Sequence, residues 1–351
     1  MDLISAWFRR HFADPQVVIL AVLLLIGFAV IIFFGHMLAP VLASIVIAYL
    51  LEGLVGLLER RRVPRLLAVL IVYCAFMAYL VVVLVGLMPV LSRQISQLIE
   101  QLPSMIGKGQ TLLMQFPERY PNLITAQQVT EIIDSLRKEI GQLGQQVLSY
   151  SLSSVVNLIT MLLYLVLLPL LVFFFLKDKQ RIIAWATGYL PRERVLAAQV
   201  WRDVDQQIAN YVRGKFVEML IVWAVSFVTF VLMGLNFAML LGVLMGLSVI
   251  IPYIGAVVVT GPVALIAFFQ WGLGSEFASL MLAYGVIHAL DGNLLVPLLF
   301  SEVVDLHPIA IIVAVLVFGG LWGFWGVFFA IPLATLVQAV LKAWPEENPA
   351  V

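Results

Sequence analysis

Between Met219 and Leu341 the chain has no lysine and no arginine. Glu276, Asp291, Glu302 and Asp305 fall in that same stretch, so these acids sit among hydrophobic runs with no base near them in sequence. Charge is scarce elsewhere too. Charged residues make up 11% of the 351 residues and hydrophobic ones 63%, against roughly 25% and about 45–50% in a soluble domain. Several runs approach or exceed the ~20 apolar residues needed to cross a bilayer. A soluble globular protein is excluded, and the composition is that of a polytopic integral membrane protein.

Other absences narrow the function. The one cysteine, Cys74, excludes an intrachain disulfide and a multi-cysteine metal site, and packing is its expected role. Twenty bases balance twenty acids, so nothing points to a nucleic-acid partner. There is no Gly-x-Ser-x-Gly elbow, no P-loop and no HExxH pattern. An ATPase built into this chain is therefore excluded, and neither an enzyme nor a cofactor is expected.

What is present is a series of about eight apolar spans, near 17–34, 37–51, 66–91, 155–176, 216–235, 238–270, 276–300 and 309–341. Arg9 and Arg10 before Val17–Phe34 superficially resemble a signal peptide. The run is longer than the roughly 7–15 residues of such a segment and no small-x-small site follows, so it reads as a retained first membrane helix. The last four spans are almost continuously apolar and broken mainly by glycine and proline, which leaves room for re-entrant segments. The expected fold class is an all-α polytopic membrane protein of about eight transmembrane helices. Broken or re-entrant segments in the C-terminal half and an extracytoplasmic helical hairpin complete it.

Lysine and arginine set the orientation. Arg60, Arg61, Arg62 and Arg65 lie in the short loop 52–65, and eight bases face five acids across 177–218. Both segments, and both termini, are expected in the cytoplasm. The expected units are N-terminal membrane helices over 1–91, an outer helical segment over 92–154 and a membrane helix over 155–176. A cytoplasmic amphipathic segment over 177–215, a transport core over 216–341 and a cytoplasmic tail over 342–351 follow. In the outer segment Leu91, Ile95, Leu98, Leu102 and Met105 recur at 4-3-4-3 spacing, and Val129, Ile133, Leu136, Ile140, Leu143 and Val147 continue the pattern. That period describes a helix seam, whether it packs within the chain or between subunits. Over 177–215, Val200, Val204, Ile208, Tyr211 and Val212 share one face, and the bases there either mark topology or meet anionic lipid.

The chemistry is expected where polar residues interrupt the apolar core. An ionisable residue in a membrane segment costs from about 2.5 kcal/mol upward, so it faces a cavity, a partner or an ion path. Asp291 follows Val286-Ile287-His288-Ala289-Leu290 and precedes Leu294–Phe300, near mid-membrane, and His288 lies one turn before it. That spacing suits the two to sharing a proton. Gly292 and Asn293 suggest an interrupted helix whose freed backbone groups bind solute. Glu302 and Asp305, with His307, read as a loop at a wet interface or as part of the path. Pro252-Tyr253-Ile254-Gly255 is a second break, either a kink or a cavity wall, and Pro297 closes the first. Gly242-x-x-x-Gly246 and the glycines at 319, 320, 323 and 326 allow close helix packing.

Several motifs in this order resemble one family. They are Phe-Phe-Leu-Lys177-Asp178, then Pro252-Tyr253-Ile254-Gly255-Ala256, then Gly292-Asn293-Leu-Leu-Val-Pro297. Val304-Asp305-Leu306-His307-Pro308, Gly320-Leu-Trp-Gly323-Phe-Trp-Gly326 and Ala330-Ile-Pro332-Leu-Ala334 complete the set. Together they resemble the autoinducer-2 exporter family, and within it the PerM-type permeases, over nearly the whole chain. Where many members carry Glu before the Gly/Asn-Leu-Leu-x-Pro run, this chain has Asp291. The resemblance implies a multi-pass secondary transporter of the bacterial inner membrane, assembled as a homo-oligomer of five subunits. It implies export of a small polar solute such as the quorum signal autoinducer-2, while some relatives are linked to exchange of monovalent cations for protons.

Three readings follow. The first is an ion-coupled exporter of a small hydrophilic solute, with a pathway between the two breaks. Asp291 is its coupling acid, and Asn293 and Tyr253 supply hydrogen bonds. The second is a sodium or other monovalent cation/proton antiporter, favoured by acids in a base-free half. The third is a non-transporting membrane scaffold built on the outer hairpin. Expected partners are a small-molecule or cation substrate, the lipid bilayer and further copies of the chain.

Overall fold

The computed structural model describes residues 15–114, 127–131, 133–135, 138, 141–142, 155–189, 195–252, 254–300 and 306–343. Among them every regular element is helical. Five helices are long and apolar enough to cross a membrane, which makes the chain an all-α polytopic membrane protein.

α1 is one continuous helix, Pro15–Arg60, of 46 residues with Pro40 inside it. The runs 17–34 and 37–51, separate in the sequence reading, therefore belong to one rod of about 69 Å. Ser44, fully buried, lies 2.6 Å from Pro40 O and 3.3 Å from Leu168 O, bridging α1 to α4 (Val155–Lys177). A two-residue turn with Arg62 at φ 67° leads into α2, Arg65–Val82. A wide π-type turn at Val83–Leu87 joins α2 to α3, Met88–Leu113, so span three runs straight into the segment expected outside. In α3 the expected seam packs inward. Leu91 and Met105 are buried, Leu98 packs on the C-terminal core, and the Leu240 N–H donates to Gln94 Oε1 at 2.8 Å. Val129 and Ile133 of the second seam are buried, while Leu136, Ile140, Leu143 and Val147 lie outside the described residues.

After α4 and the short α5, Lys179–Gly188, the 38-residue α6, Val195–Leu232, is the hub of the molecule. It packs on α1, on α7 (Ala238–Ser248), on α9 (Ser275–Leu290), on α10 (Val296–Phe300) and on α13 (Ala330–Ala343). The boundary expected between residues 215 and 216 falls inside α6, which crosses it without a break. Glycines set the spacing. A Cβ on Gly242 would lie 3.0 Å from Phe227 Cβ and one on Gly246 2.7 Å from Trp223 Cβ, so α7 rests directly on the α6 backbone.

The run 238–270 is a helix pair rather than one span. α7 ends at Ser248, the chain reverses through Pro252, and α8 runs Ile254–Trp271. Residues 276–300 show the opposite. The helix expected to be interrupted at Gly292 and Asn293 stays continuous through a π-type turn, Asp291–Leu295, between α9 and α10. The last run, 309–341, divides into α11 (Pro308–Trp322), α12 (Phe324–Phe328) and α13. Gly323, at φ 58°, starts the reversal that folds α13 back on α11. A Cβ at Gly326 would lie 1.8 Å from Phe318 O, which only glycine permits.

Candidate functional site

A cavity of about 570 Å³ opens where α6, the α7–α8 reversal, the α9 π-type turn and the start of α11 converge. Local sequence explains each wall. Pro252 lacks an N–H and stops the continuation of α7 into α8. Gly255 brings the first turn of α8 against the end of α7, because a Cβ there would lie 1.8 Å from Ser248 O. Gly214 does the same for α10, with its absent Cβ 2.8 Å from Phe300 Cε1.

Lys215 and Glu218 dominate the α6 wall. Their side chains form an ion pair at 2.7 Å and are 5% and 2% exposed. Lys215 Nζ also donates to Val249 O at 2.9 Å and lies 5.2 Å above the Phe300 ring and 6.0 Å from that of Tyr211. The carbonyl it uses lies in the reversal after α7, so the ammonium closes a backbone group that the break in the helix leaves open. The base-free half inferred from sequence is thus not base-free in space. A lysine from just before it faces the same cavity as Asp291.

From the α9 side, Asp291 opens the π-type turn and lines the same cavity with His288. Asp291 Oδ1 and His288 Nε2 are buried and have no hydrogen-bond partner among the described residues, so these atoms do not bond each other. The His288 ring instead packs edge-on against Tyr284, centroids 4.6 Å apart. Tyr284 is itself fixed, its hydroxyl 2.7 Å from Ala256 O, to which it donates, and 2.8 Å from Thr260 Oγ1. Such π-type turns displace one residue from the regular ladder and recur at functional sites. Here the turn brings Asp291 to the cavity, which Glu276 of α9 does not line.

Other sequence-predicted residues divide. Pro252 and Pro297 line the cavity, and Gly255 shapes it from behind. Asn293 is exposed, and its amide donates to Ala289 O at 2.8 Å within its own helix, so it does not face the cavity. His307 is exposed and caps α11, its Nδ1 accepting from the Ile309 N–H at 3.3 Å. Its neighbours Leu306 and Pro308 reach the cavity instead. Tyr253, Glu302 and Asp305 lie outside the described residues. No group of three or more metal-ligating side chains occurs among the described residues.

Sequence reasoning missed Lys215 and Glu218, although a signal for them exists. Val200, Val204, Tyr211, Lys215, Glu218, Val222 and Ser226 are all buried, and with half-buried Ile208 they recur every three or four residues. The stripe continues through the pair, and reading a boundary at residue 215 cut it in two.

Comparison with known proteins agrees with this architecture. The family model described as AI-2E family transporter matches residues 20–346. "Putative permease PerM" of Escherichia coli (strain K12) is 47% identical over 346 residues, covering 99% of this chain and 98% of that protein. "Putative transport protein YueF" of Bacillus subtilis (strain 168) is 27% identical over 344 residues, with 94% and 92% covered. "AI-2 transport protein TqsA" of Escherichia coli (strain K12) is 27% identical over 330 residues, with 92% of each chain covered. With its apolar spanning helices and its charged cavity at the hub helix, the chain belongs to the AI-2E family of membrane transporters.

Proposed function

We propose that the chain exports a small hydrophilic solute of the autoinducer-2 type through this cavity, coupled to an ion gradient. One observation carries the reading. A buried Lys215–Glu218 pair lines the same cavity of about 570 Å³ as His288 and Asp291, whose Nε2 and Oδ1 have no partners among the described residues. That volume lies in the range of small-molecule sites, about 300–1,000 Å³. Burying an ion pair costs several kcal/mol per charge, and apolar replacements are often as stable, so stability alone does not account for it. A solute rich in hydroxyl and carbonyl oxygens accepts from Lys215 and donates to the carboxylates. Asp291 serves as the coupling acid, because a proton or cation taken up there neutralises one of two carboxylates around a single ammonium. The name of TqsA supports the solute class, and that of PerM supports a permease.

The second reading, monovalent cation/proton antiport, loses its original argument now that Lys215 stands in the cavity. It keeps another: two carboxylates against one ammonium leave a formal charge of minus one when all are ionised. The scaffold reading has less support, because nothing about a scaffold calls for a charged cavity. The same proposal puts the chain in the bacterial inner membrane with both termini cytoplasmic and residues 92–154 outside, as a homo-oligomer of five subunits. Apolar side chains such as Leu232 and Leu282, 81% and 71% exposed, are available to lipid or to neighbouring copies.

The test is proton flux in proteoliposomes holding a pH-sensitive dye, for the natural chain and for Asp291→Asn. Sodium, potassium and then an autoinducer-2-type solute are added in turn. A response to solute that the variant loses supports coupled export. A response to cation alone that the variant loses makes the chain an antiporter, and no response in folded protein, with no efflux of labelled solute, would sink both.

A further inference from the structure

α5 follows α4 after a single residue, Asp178, and among the described residues it packs appreciably on no element except α4. α4 contains no charge before its last residue, Lys177. Its 23 residues span about 34 Å, which matches a hydrocarbon core of about 30 Å. A bilayer around α4 therefore ends near Lys177, and α5 begins at that level.

The side chains of α5 fit an interfacial position. At about 100° per residue, Ile182, Trp185, Ala186 and Tyr189 share one arc. Trp185 and Tyr189 are 66% and 76% exposed, and they stack edge-on, centroids 5.3 Å apart. Gln180, Ala184 and Thr187 occupy the other side. Lys179 and Arg181 flank the apolar arc, and Lys177 precedes it. Arg181 and Lys177 are exposed. Lys177 lies 5.8 Å above the Phe173 ring, and Lys179 pairs with Glu52 of α1 at 3.4 Å. In water such a helix would leave two large aromatic side chains open to solvent. At a membrane surface, Trp and Tyr sit at headgroup depth and bases beside them meet lipid phosphates.

We propose that α5 is an interfacial helix that docks on anionic phospholipid. Ile182, Trp185, Ala186 and Tyr189 enter the headgroup–acyl boundary while Lys177 and Arg181 contact the phosphates. Lys179 stays on Glu52, so the docked helix is tied to α1. Glu52 is also bound by Arg65 of α2, at 3.3 Å, and lipid charge thereby reaches the joint between α1 and α2.

Ala184 and Ala186 are both exposed and lie about 160° apart around the helix, so a cysteine at either leaves the packing intact. The full chain with Cys74→Ser and either Ala184→Cys or Ala186→Cys carries a nitroxide label in nanodiscs. The discs contain phosphatidylglycerol with phosphatidylcholine, or phosphatidylcholine alone. Collision with oxygen reports the apolar phase, and collision with a neutral nickel chelate reports water. The expected result is an oxygen-to-nickel ratio higher at 186 than at 184 in the anionic discs. That difference shrinks in phosphatidylcholine and after Lys177→Gln with Arg181→Gln. Equal aqueous access at both positions would overturn the proposal. So would shielding from both reagents, which means that a second copy or another protein covers the arc. A difference indifferent to lipid charge and to the two glutamines would overturn the phosphate contact.

Discussion

Lys215 and Glu218 stand one helical turn apart on α6, 2.7 Å from each other and almost wholly buried, with the Lys215 ammonium also donating to Val249 O. The pair joins the longest helix of the C-terminal half to the reversal between α7 and α8, and it forms one wall of the cavity. Its removal tests stability and transport separately.

Lys215→Met leaves Glu218 as an uncompensated buried charge and is expected to cost about 3–5 kcal/mol. Adding Glu218→Leu removes that charge, so the double variant recovers thermal stability while solute flux stays lost. Unfolding temperature and proteoliposome flux, measured on both variants, check this. Flux returning with stability would make the pair structural only.

Asp291→Asn changes little in packing, because Oδ1 has no hydrogen-bond partner to lose among the described residues. The expected change in stability is below about 1 kcal/mol, with coupled flux abolished. A variant that unfolds early would instead reveal a structural carboxylate.

Two glycines are expected to be intolerant for a steric reason. Gly255→Ala and Gly326→Ala each place a Cβ 1.8 Å from a carbonyl oxygen, that of Ser248 or of Phe318, and should each cost about 3 kcal/mol. Gly285, inside α9 and not followed by proline, meets no atom beyond its chain neighbours within 4 Å of where a methyl group would stand. Gly285→Ala should therefore stabilise by about 0.5–1 kcal/mol. Thermal unfolding of the three variants orders them.

Arg65 touches Glu52 and Glu59, each at 3.3 Å, and donates to Leu176 O at 3.1 Å, joining α1, α2 and the end of α4. Its side chain is 30% exposed, and partly solvated ion pairs contribute only about 0–1 kcal/mol each. Arg65→Gln should therefore lower stability by about 1–2 kcal/mol. A larger loss in unfolding measurements would show that the carbonyl contact carries the joint.

Much of the fold is legible because hydrophobic run length and helical period are local properties. The apolar runs, the 4-3 seam through Leu91, Leu98 and Met105, the close packing at Gly242 and Gly246 and the break at Pro252 are all visible in the residues themselves. Run length is silent on continuity, however. The runs 17–34 and 37–51 read as two spans and form one helix, whereas 238–270 and 309–341 read as single spans and are each divided. Gly292 and Asn293 suggest a broken helix, yet Asn293 closes Ala289 O with its own side chain and the helix continues through a wider turn.

The sequence by itself determined that this chain lives in a membrane, is built of helices and places Asp291 and His288 among apolar neighbours. Composition and spacing decide those matters without reference to distant residues. Only the tertiary structure decided what faces Asp291. A lysine 76 positions earlier in the chain reaches the same cavity because α6, long and unbroken, passes beside both the α7–α8 reversal and the π-type turn. Which charges meet in a low-dielectric cavity depends on how helices cross, and the order of residues along one chain does not encode that crossing locally.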